Sequence, residues 1–255
     1  MKRITSLDNP FIKQTVSLHT AGGRLHAKKF IGQGYRVCST LIEAGLIPEV
    51  LYVTPEAGSY FASAEFSVIE VTPQVMEKIS TVVTPSGVLG VFSMPAELDP
   101  TTIGSGLVLA QIHDPGNMGT LIRTAVALNL SSIVIVEGCD PFSPKVVQAS
   151  AGTIGFANIF TIRWQELLAY KKGLQLQALV IEGGSSPCEV NLSSSLLVVG
   201  NEARGIPQEW LAACESKISL PMPGRTESLN AAIAGSIALY VGFLNSLGFK
   251  PEENQ

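Results

Sequence analysis

Three short polar segments of this chain each follow an apolar run and carry residues able to orient a ligand. They are Asp114 to Arg123 (DPGNMGTLIR), Gly200 to Ile206 (GNEARGI) and Leu220 to Asn230 (LPMPGRTESLN). In the first, Asp114-Pro115-Gly116-Asn117 separates the apolar run Leu107 to Ile112 from a helical pattern of Leu121, Ile122, Ala125, Val126 and Leu128. That order predicts a strand, a tight turn and a helix capped near Asn117. Open α/β sheets hold their ligands at such carboxyl ends of strands. Arg123 falls about two turns into the helix, close enough to face the same crevice, and its forked guanidinium suits a phosphate or a ribose oxygen. From these residues alone, a surface arginine beside an ordinary turn explains the segment equally well.

The second segment repeats the device. Leu196 to Val199 is a buried-strand run, Gly200 lets a ligand approach the backbone, and Gly205-Ile206-Pro207 turns the chain into a helix starting near Pro207. Glu202 and Arg204 could simply neutralise each other at the rim. In the third segment, Pro221, Pro223 and Gly224 hold an irregular loop after the strand Lys217 to Leu220, and Ser228 is placed to cap a long apolar helix. Such a loop offers backbone amides and carbonyls to an adenine edge, with Leu220, Ile206 and Leu229 closing over the ring.

Taken together and in this order, the segments resemble the SpoU/TrmH-type RNA ribose 2'-O-methyltransferases. Asn117, Gly119 and Arg123 match that family's N-x-G and following arginine, and Gly200, Glu202 and Gly205 match G-x-E-x-x-G. Leu220, Pro221, Met222, Gly224, Ser228, Leu229 and Asn230 match its third motif. The resemblance implies that Gly200, Leu220 and Leu229 contact S-adenosylmethionine, with Ile181, Glu182, Gly183, Ile206 and Met222 around it. It places Asn117, Arg123, Glu202, Ser228 and Asn230 at the reaction centre. It also implies a deep C-terminal trefoil knot, a rare exception to unknotted topology, and a homodimer. Ala231-Ala232 stand where the family often has Val-Ser, and Val241 replaces the Glu that often follows the tyrosine; these departures touch helix packing and the dimer contact.

Composition sets the outer bounds. With 255 residues, 46% hydrophobic and 15% charged, the chain can form one large or two modest cores, and its low charge argues against disorder. Cys38, Cys139, Cys188 and Cys214 form no C-x-x-C, and His19, His26 and His113 show no ligand spacing. Neither zinc nor a disulfide framework is expected, which fits a reducing cytoplasm. Lys2 and Arg3 open the chain without an apolar core behind them, so no secretory signal is expected. Ser228 to Phe249 lacks any charge and is long enough to span a bilayer, but Asn230, Ser236, Asn245, Ser246 and several glycines interrupt it. A helix apolar nearly all round is otherwise buried on two sides, here one against the sheet and one against a second subunit, with no membrane involved.

The elements that must position these residues fall into two groups. Residues 93–106 hold Pro95, Pro100, Gly104 and Gly106 with few apolar side chains, a linker composition between domains at 1–92 and 107–255. Before it, strand-like runs Val50 to Val53, Ser67 to Val71 and Val88 to Phe92 alternate with helical runs Ser39 to Ala44 and Pro73 to Ile79, predicting a small α/β domain. After it, candidate strands at 107–112, 132–137, 158–162, 176–181, 196–200 and 217–220 alternate with helices, so the fold class is α/β, a parallel sheet covered by helices.

Charge is uneven along the chain. Residues 1–36 carry seven basic side chains against Asp8 alone, a net +6, and the remainder is −10. A basic head on an acidic body suits a nucleic-acid partner held through phosphates, with Lys13, Arg24, Lys28, Lys29 and Arg36 as its contacts and Arg225 nearer the target ribose. A solvated helix face is the plainer alternative. Ile4 to Pro10 with Lys13, and Phe30 to Gly34, resemble the N-terminal L30e/L7Ae-like substrate-binding domain of many such enzymes, although Gln33 stands where that domain usually has an acid. Gly32-Gln33-Gly34 is also the start of a nicotinamide-binding fingerprint, but Val37 occupies its third glycine position. A non-catalytic RNA-binding protein of the same fold would show degraded motifs, and here they are present. The expected activity is methyl transfer to a ribose 2'-hydroxyl of structured RNA, ribosomal before transfer RNA. Arginine holds its proton too firmly to be a comfortable base, so Arg123 is assigned to a phosphate and the developing alkoxide, with proton removal through water or the RNA phosphate.

Overall fold

Short apolar runs with helix starts at Asn9-Pro10, Thr20, Thr72-Pro73 and Asp114-Pro115 lay out most of this chain. At each, the side chain before the first turn accepts a backbone N–H that has no partner inside the helix. The computed structural model describes residues 2–61, 66–190, 192–225 and 228–249. Its contacts form two units, Met1–Ala96 with Asp140–Phe156, and Glu97–Cys139 with Ala157–Gln255.

The first unit contains β1 (Lys2–Ile4), α1 (Pro10–Ser17), α2 (Ala21–Ala27), β2 (Lys29–Gln33) and α3 (Tyr35–Glu43). It continues with β3 (Pro48–Val53), β4 (Val68–Val71), α4 (Pro73–Ile79) and β5 (Val88–Ser93). Its sheet has the order β1-β4-β3-β5-β2, with β4 parallel to β1 and β3, and β5 antiparallel to β3 and β2. Ile12, Leu18, Ile31, Tyr52, Val71, Met76 and Leu89 fill the core on one face. Two strands escape the sequence reading: β1 has three residues, and β2 is buried at four successive positions and so shows no alternation. The expected helix Ser39 to Ala44 is the second half of α3, which starts four residues earlier because Gly34, at φ +89, turns the chain out of β2.

The second unit is built on β6 (Gly106–Ala110), α5 (Pro115–Ala127) and β7 (Ser132–Val136). The chain then makes α6 (Pro144–Ala149), which groups with the first unit, before returning through β8 (Asn158–Thr161), α7 (Trp164–Tyr170) and β9 (Gln175–Val180). β10 (Ser195–Val199), α8 (Gln208–Leu211), β11 (Ser216–Ser219) and α9 (Ala231–Ser246) complete it. All six strands are parallel, in the order β11-β9-β10-β6-β7-β8. Alternate residues Val108, Ala110, Val134, Val136, Leu196 and Val198 pack on one face beneath Trp164, Leu167 and Trp210. The two tryptophans stack at 4.9 Å. On α9, Gly235 sits against Leu121 and Val199, and a Cβ there would come within 2.6 Å of Leu121. The chain runs outward from β6 to β8, then crosses to β9 and returns to lay β10 beside β6. That reversal makes the crevice between β6 and β10, where doubly wound sheets bind ligands.

Asp140–Phe156, which the sequence boundary groups with the second domain, packs with the first unit. The Phe142 ring lies 5.1 Å from that of Phe30 on β2. Asp140 receives both Nε and Nη2 of Arg24, at 2.9 and 2.6 Å.

Candidate active site

The first motif leaves β6 through Gln111 and enters α5 at Asp114. The cap differs from the expected one: Asp114 Oδ1 accepts the Asn117 N–H at 2.8 Å, so Asp114 closes the helix and the Asn117 side chain is free for other work. Its Nδ2 donates to Glu202 Oε1 at 2.7 Å, and its Oδ1 accepts from Asn230 Nδ2 at 3.0 Å. The third motif differs in the same way. Asn230 caps α9, its Oδ1 accepting from Ala232 and Ile233 N–H at 2.9 and 3.2 Å, and Ser228, the expected cap, lies two residues outside the helix. Each amide therefore has its oxygen and nitrogen ends assigned by its partners, and one string of side chains, Glu202–Asn117–Asn230, joins the three motifs.

The second motif is a tight loop. Asn201 and Gly205 exchange N–H and carbonyl bonds at 3.0 Å each, and Gly205 takes φ +66. A Cβ on Gly200 would sit 2.5 Å from Gly205 C and 2.6 Å from Ile206 N. The glycine is thus required first by the loop's own backbone, and only then by anything bound beside it.

A cavity of about 250 Å³ opens at this edge of the sheet. Of the residues expected around a cofactor, Gly200, Leu220, Leu229, Ile181 and Met222 line it, together with Glu202 and Ser228. Glu182, Gly183 and Ile206 are not among its lining residues. Ile206 instead packs on the core under the sheet. Sequence reasoning missed Leu179, Val180, Val199, Ala231 and Ala234, which belong to strand and helix ends whose pairing only the sheet order reveals, and Asn201, Ala203 and Arg204 within the loop. The lining is an apolar slot edged by the polar residues Asn201, Glu202, Arg204 and Ser228, which suits a flat aromatic group carrying polar and charged substituents.

Arg123 is exposed on α5 and makes no hydrogen bond or ion pair with the described residues. At 3.6 residues per turn it points about 120° away from Asn117 around the helix, and it is not among the residues lining the cavity. Thr124 Oγ1 meets Ser236 Oγ of α9 at 2.9 Å. α9 buries Ala232, Gly235, Ala238, Leu239 and Gly242, while Ile233, Ile237 and Tyr240 remain 52%, 41% and 53% exposed on its other side. Among the described residues no helix is long and apolar enough to cross a membrane, and no three or more His, Cys, Asp or Glu side chains come together as metal ligands would.

The basic residues of the first unit divide sharply. Arg24 is not available to RNA: it is 3% exposed, its Nη1 bonds Leu18 O and His19 O, and Asp140 neutralises it. A sequence count of charges cannot register that burial. Lys29 Nζ pairs with Glu49 at 2.5 Å. Burial opposes ionisation of Glu49, but Lys29 and the Ser93 hydroxyl hold its carboxyl below the usual range. Lys13 pairs with Asp8 at 3.0 Å in the open. Lys28 and Arg36 are exposed in this unit, as is Arg225 in the other.

Residues 105–240 match the SpoU rRNA Methylase family, and residues 9–90 match the MRM3-like substrate binding domain. The chain is 28% identical over 256 residues to an uncharacterized tRNA/rRNA methyltransferase of Synechocystis, covering 93% of this chain and 92% of that one. It is 27% identical over 248 residues to the 23S rRNA (guanosine(2553)-2'-O)-methyltransferase RlmP of Bacillus subtilis, covering 94% and 98%. Among solved structures, an AdoMet-bound rRNA methyltransferase from Sinorhizobium meliloti superposes with a TM-score of 0.82 at 28% identity, covering 94% of this chain and 97% of that one.

Proposed function

The chain belongs to the SpoU rRNA methylase family, and from that premise we propose that it transfers a methyl group from S-adenosylmethionine to a ribose 2'-hydroxyl of ribosomal RNA. The observation that carries this reading is the string Glu202–Asn117–Asn230, whose Glu202 lines an apolar cavity at the carboxyl ends of β9 and β10. A protein that had kept the fold only to bind RNA would have no need to hold three polar side chains in that arrangement.

The cavity suits the cofactor by its chemistry. Ile181, Leu220, Met222 and Leu229 offer apolar walls for an adenine, the polar residues Asn201, Arg204 and Ser228 edge it, and Glu202 supplies a carboxylate for a cationic centre. When bound, S-adenosylmethionine supplies a methyl group made electrophilic by its sulfonium. The remaining work falls to this chain's residues. Asn117, fixed at both ends, and Glu202 orient the ribose; Arg123 holds a phosphate and stabilises charge growing on the attacking oxygen. As the new O–C bond forms and the C–S bond breaks, the hydroxyl proton leaves to water or to an RNA phosphate.

The finer features belong to the same proposal. Residues 1–92, the bulk of the first unit, form a substrate-binding domain of the L30e/L7Ae type, and the catalytic domain within 107–255 is closed by a C-terminal trefoil knot. The enzyme acts as a homodimer through the exposed side of α9. Cys38, Cys188 and Cys214, thiols with no disulfide among the described residues, favour the cytoplasm. Ribosomal rather than transfer RNA is favoured by the substrates named for relatives such as RlmP.

The test is to incubate the protein with methyl-labelled S-adenosylmethionine and total RNA from cells lacking the gene, then to map 2'-O-methyl sites. Label at a discrete ribosomal ribose is expected. Label on a base, label confined to transfer RNA, or none from a protein that binds the cofactor would overturn the reading.

A further inference from the structure

A second hydrogen-bonded string reaches the loop that carries Glu202. β6 ends at Ala110, and Gln111 follows at φ +57, a left-handed conformation that a residue with a side chain keeps only where its surroundings hold it. Three bonds do so. Gln111 N–H donates to Val136 O at 2.8 Å, its Nε2 donates to Glu137 Oε2 at 2.7 Å, and its carbonyl accepts from Asn201 Nδ2 at 2.9 Å. Glu137, at the end of β7, is itself left-handed at φ +53.

The other end of the Asn201 side chain is equally committed. Asn201 Oδ1 accepts the N–H groups of Ala203 and Arg204 at 2.9 and 3.1 Å. With the two backbone bonds to Gly205, this one residue closes the loop on itself and ties it to the strand that feeds Asn117. Glu202, next in the chain, is exposed, and its bond to Asn117 alone would not hold a carboxylate on so short a loop in one direction.

We propose that Asn201, anchored on the left-handed carbonyl of Gln111, is a positioning residue that aims Glu202 at Asn117. This rests on the reading of the site as a methyl-transfer centre. Asn201 acts through the loop: its acceptor oxygen sets the loop's shape, and its donor nitrogen sets where the loop stands relative to β6. The two ends separate by substitution. Asn201→Asp keeps the acceptor for Ala203 and Arg204 but faces the Gln111 carbonyl with an oxygen, so it should lose the tether while keeping the loop closed.

A double-mutant cycle tests this, with Asn201→Ala, Glu202→Ala and the pair, assayed on ribosomal RNA from cells lacking the gene, alongside cofactor binding by calorimetry and thermal melting. Each single change should lower kcat by about tenfold or more, and the double variant should be no worse than Glu202→Ala, the coupling expected of residues acting as one unit. Asn201→Asp should lose kcat much as Asn201→Ala does while melting close to the native chain. Losses that add across the cycle, or a fully active Asn201→Asp, would overturn the role given to Asn201 and leave the site reading intact. A fully active Glu202→Ala would overturn both. Should Asn201→Ala not fold, Asn201→Ser, which keeps one acceptor, takes its place in the cycle.

Discussion

The carboxamide of Asn117, in the first turn of α5, donates to the carboxylate of Glu202 at 2.7 Å, joining a helix and a loop 85 residues apart at the mouth of the cavity. The geometry depends on a neutral donor facing an anion. Asn117→Asp would put two carboxylates at hydrogen-bond distance, and one of them would then titrate well above its ordinary range. Methyl transfer by this variant should be depressed at neutral pH. As pH falls through the raised value, the shared proton restores a donor, so activity of the variant should partly recover toward acid. Single-turnover rates measured against pH would show whether that inflection exists.

Arg123→Ala should lower methyl transfer by about 100- to 1,000-fold, the usual effect of removing a group that stabilises a developing oxyanion. Cofactor affinity should stay within a few-fold, because Arg123 lies outside the lining of the cavity. Calorimetry with S-adenosylmethionine, set beside the rate, separates the two. A comparable loss of cofactor binding would reject the RNA-facing role.

Gly200→Ala tests the loop rather than the space beside it. The added methyl would lie 2.5 Å from Gly205 C, and relieving that overlap should destabilise the chain by about 1–3 kcal/mol. Loop displacement should weaken cofactor binding in parallel. Unchanged melting together with lost binding would show instead that the methyl projects into ligand space.

The basic residues of the first unit should behave as three classes. Lys28→Ala should flatten the slope of log K against log salt for RNA binding by about 0.7–0.9, the value of one phosphate contact. Lys29→Ala should do less, since Glu49 already neutralises that charge. Arg24→Ala should leave the slope unchanged and destabilise the chain by about 3 kcal/mol, because Asp140 and two carbonyls lose a buried partner. Filter binding across a salt series and denaturant titration of the same variants would sort them.

A dimer seated on α9 should sediment at about twice the 27.0 kDa chain mass without detergent. Replacing Ile237 and Tyr240 together by lysine should shift the population toward monomer, since both lie on the exposed side of α9. A native chain that sediments as a monodisperse monomer would remove the premise.

Much of this architecture follows from local rules. All six strands of the second unit lie within two residues of their apolar runs, because a buried parallel strand needs a continuous apolar stretch whatever surrounds it. The three motifs, the helix entry at Pro207 and the apolar character of α9 were likewise readable, each depending on neighbours a few residues away. The caps were less so: Asp114 and Asn117 are equally good cap residues, as are Ser228 and Asn230, and what engages the Asn117 side chain once Asp114 caps the helix is Glu202, on a loop distant in sequence. Tertiary structure alone decided the rest. It set β9 beside β10, which turned Leu179, Val180 and Val199 into cavity wall, and it brought Asp140 back to Arg24, which removed a charge the sequence counts as available. It also gave Gln111 a left-handed backbone that no local preference calls for. Periodicity and turn chemistry act over a few residues, whereas which side chain meets which across 85 or 116 positions depends on strand order, a property of the whole chain's packing.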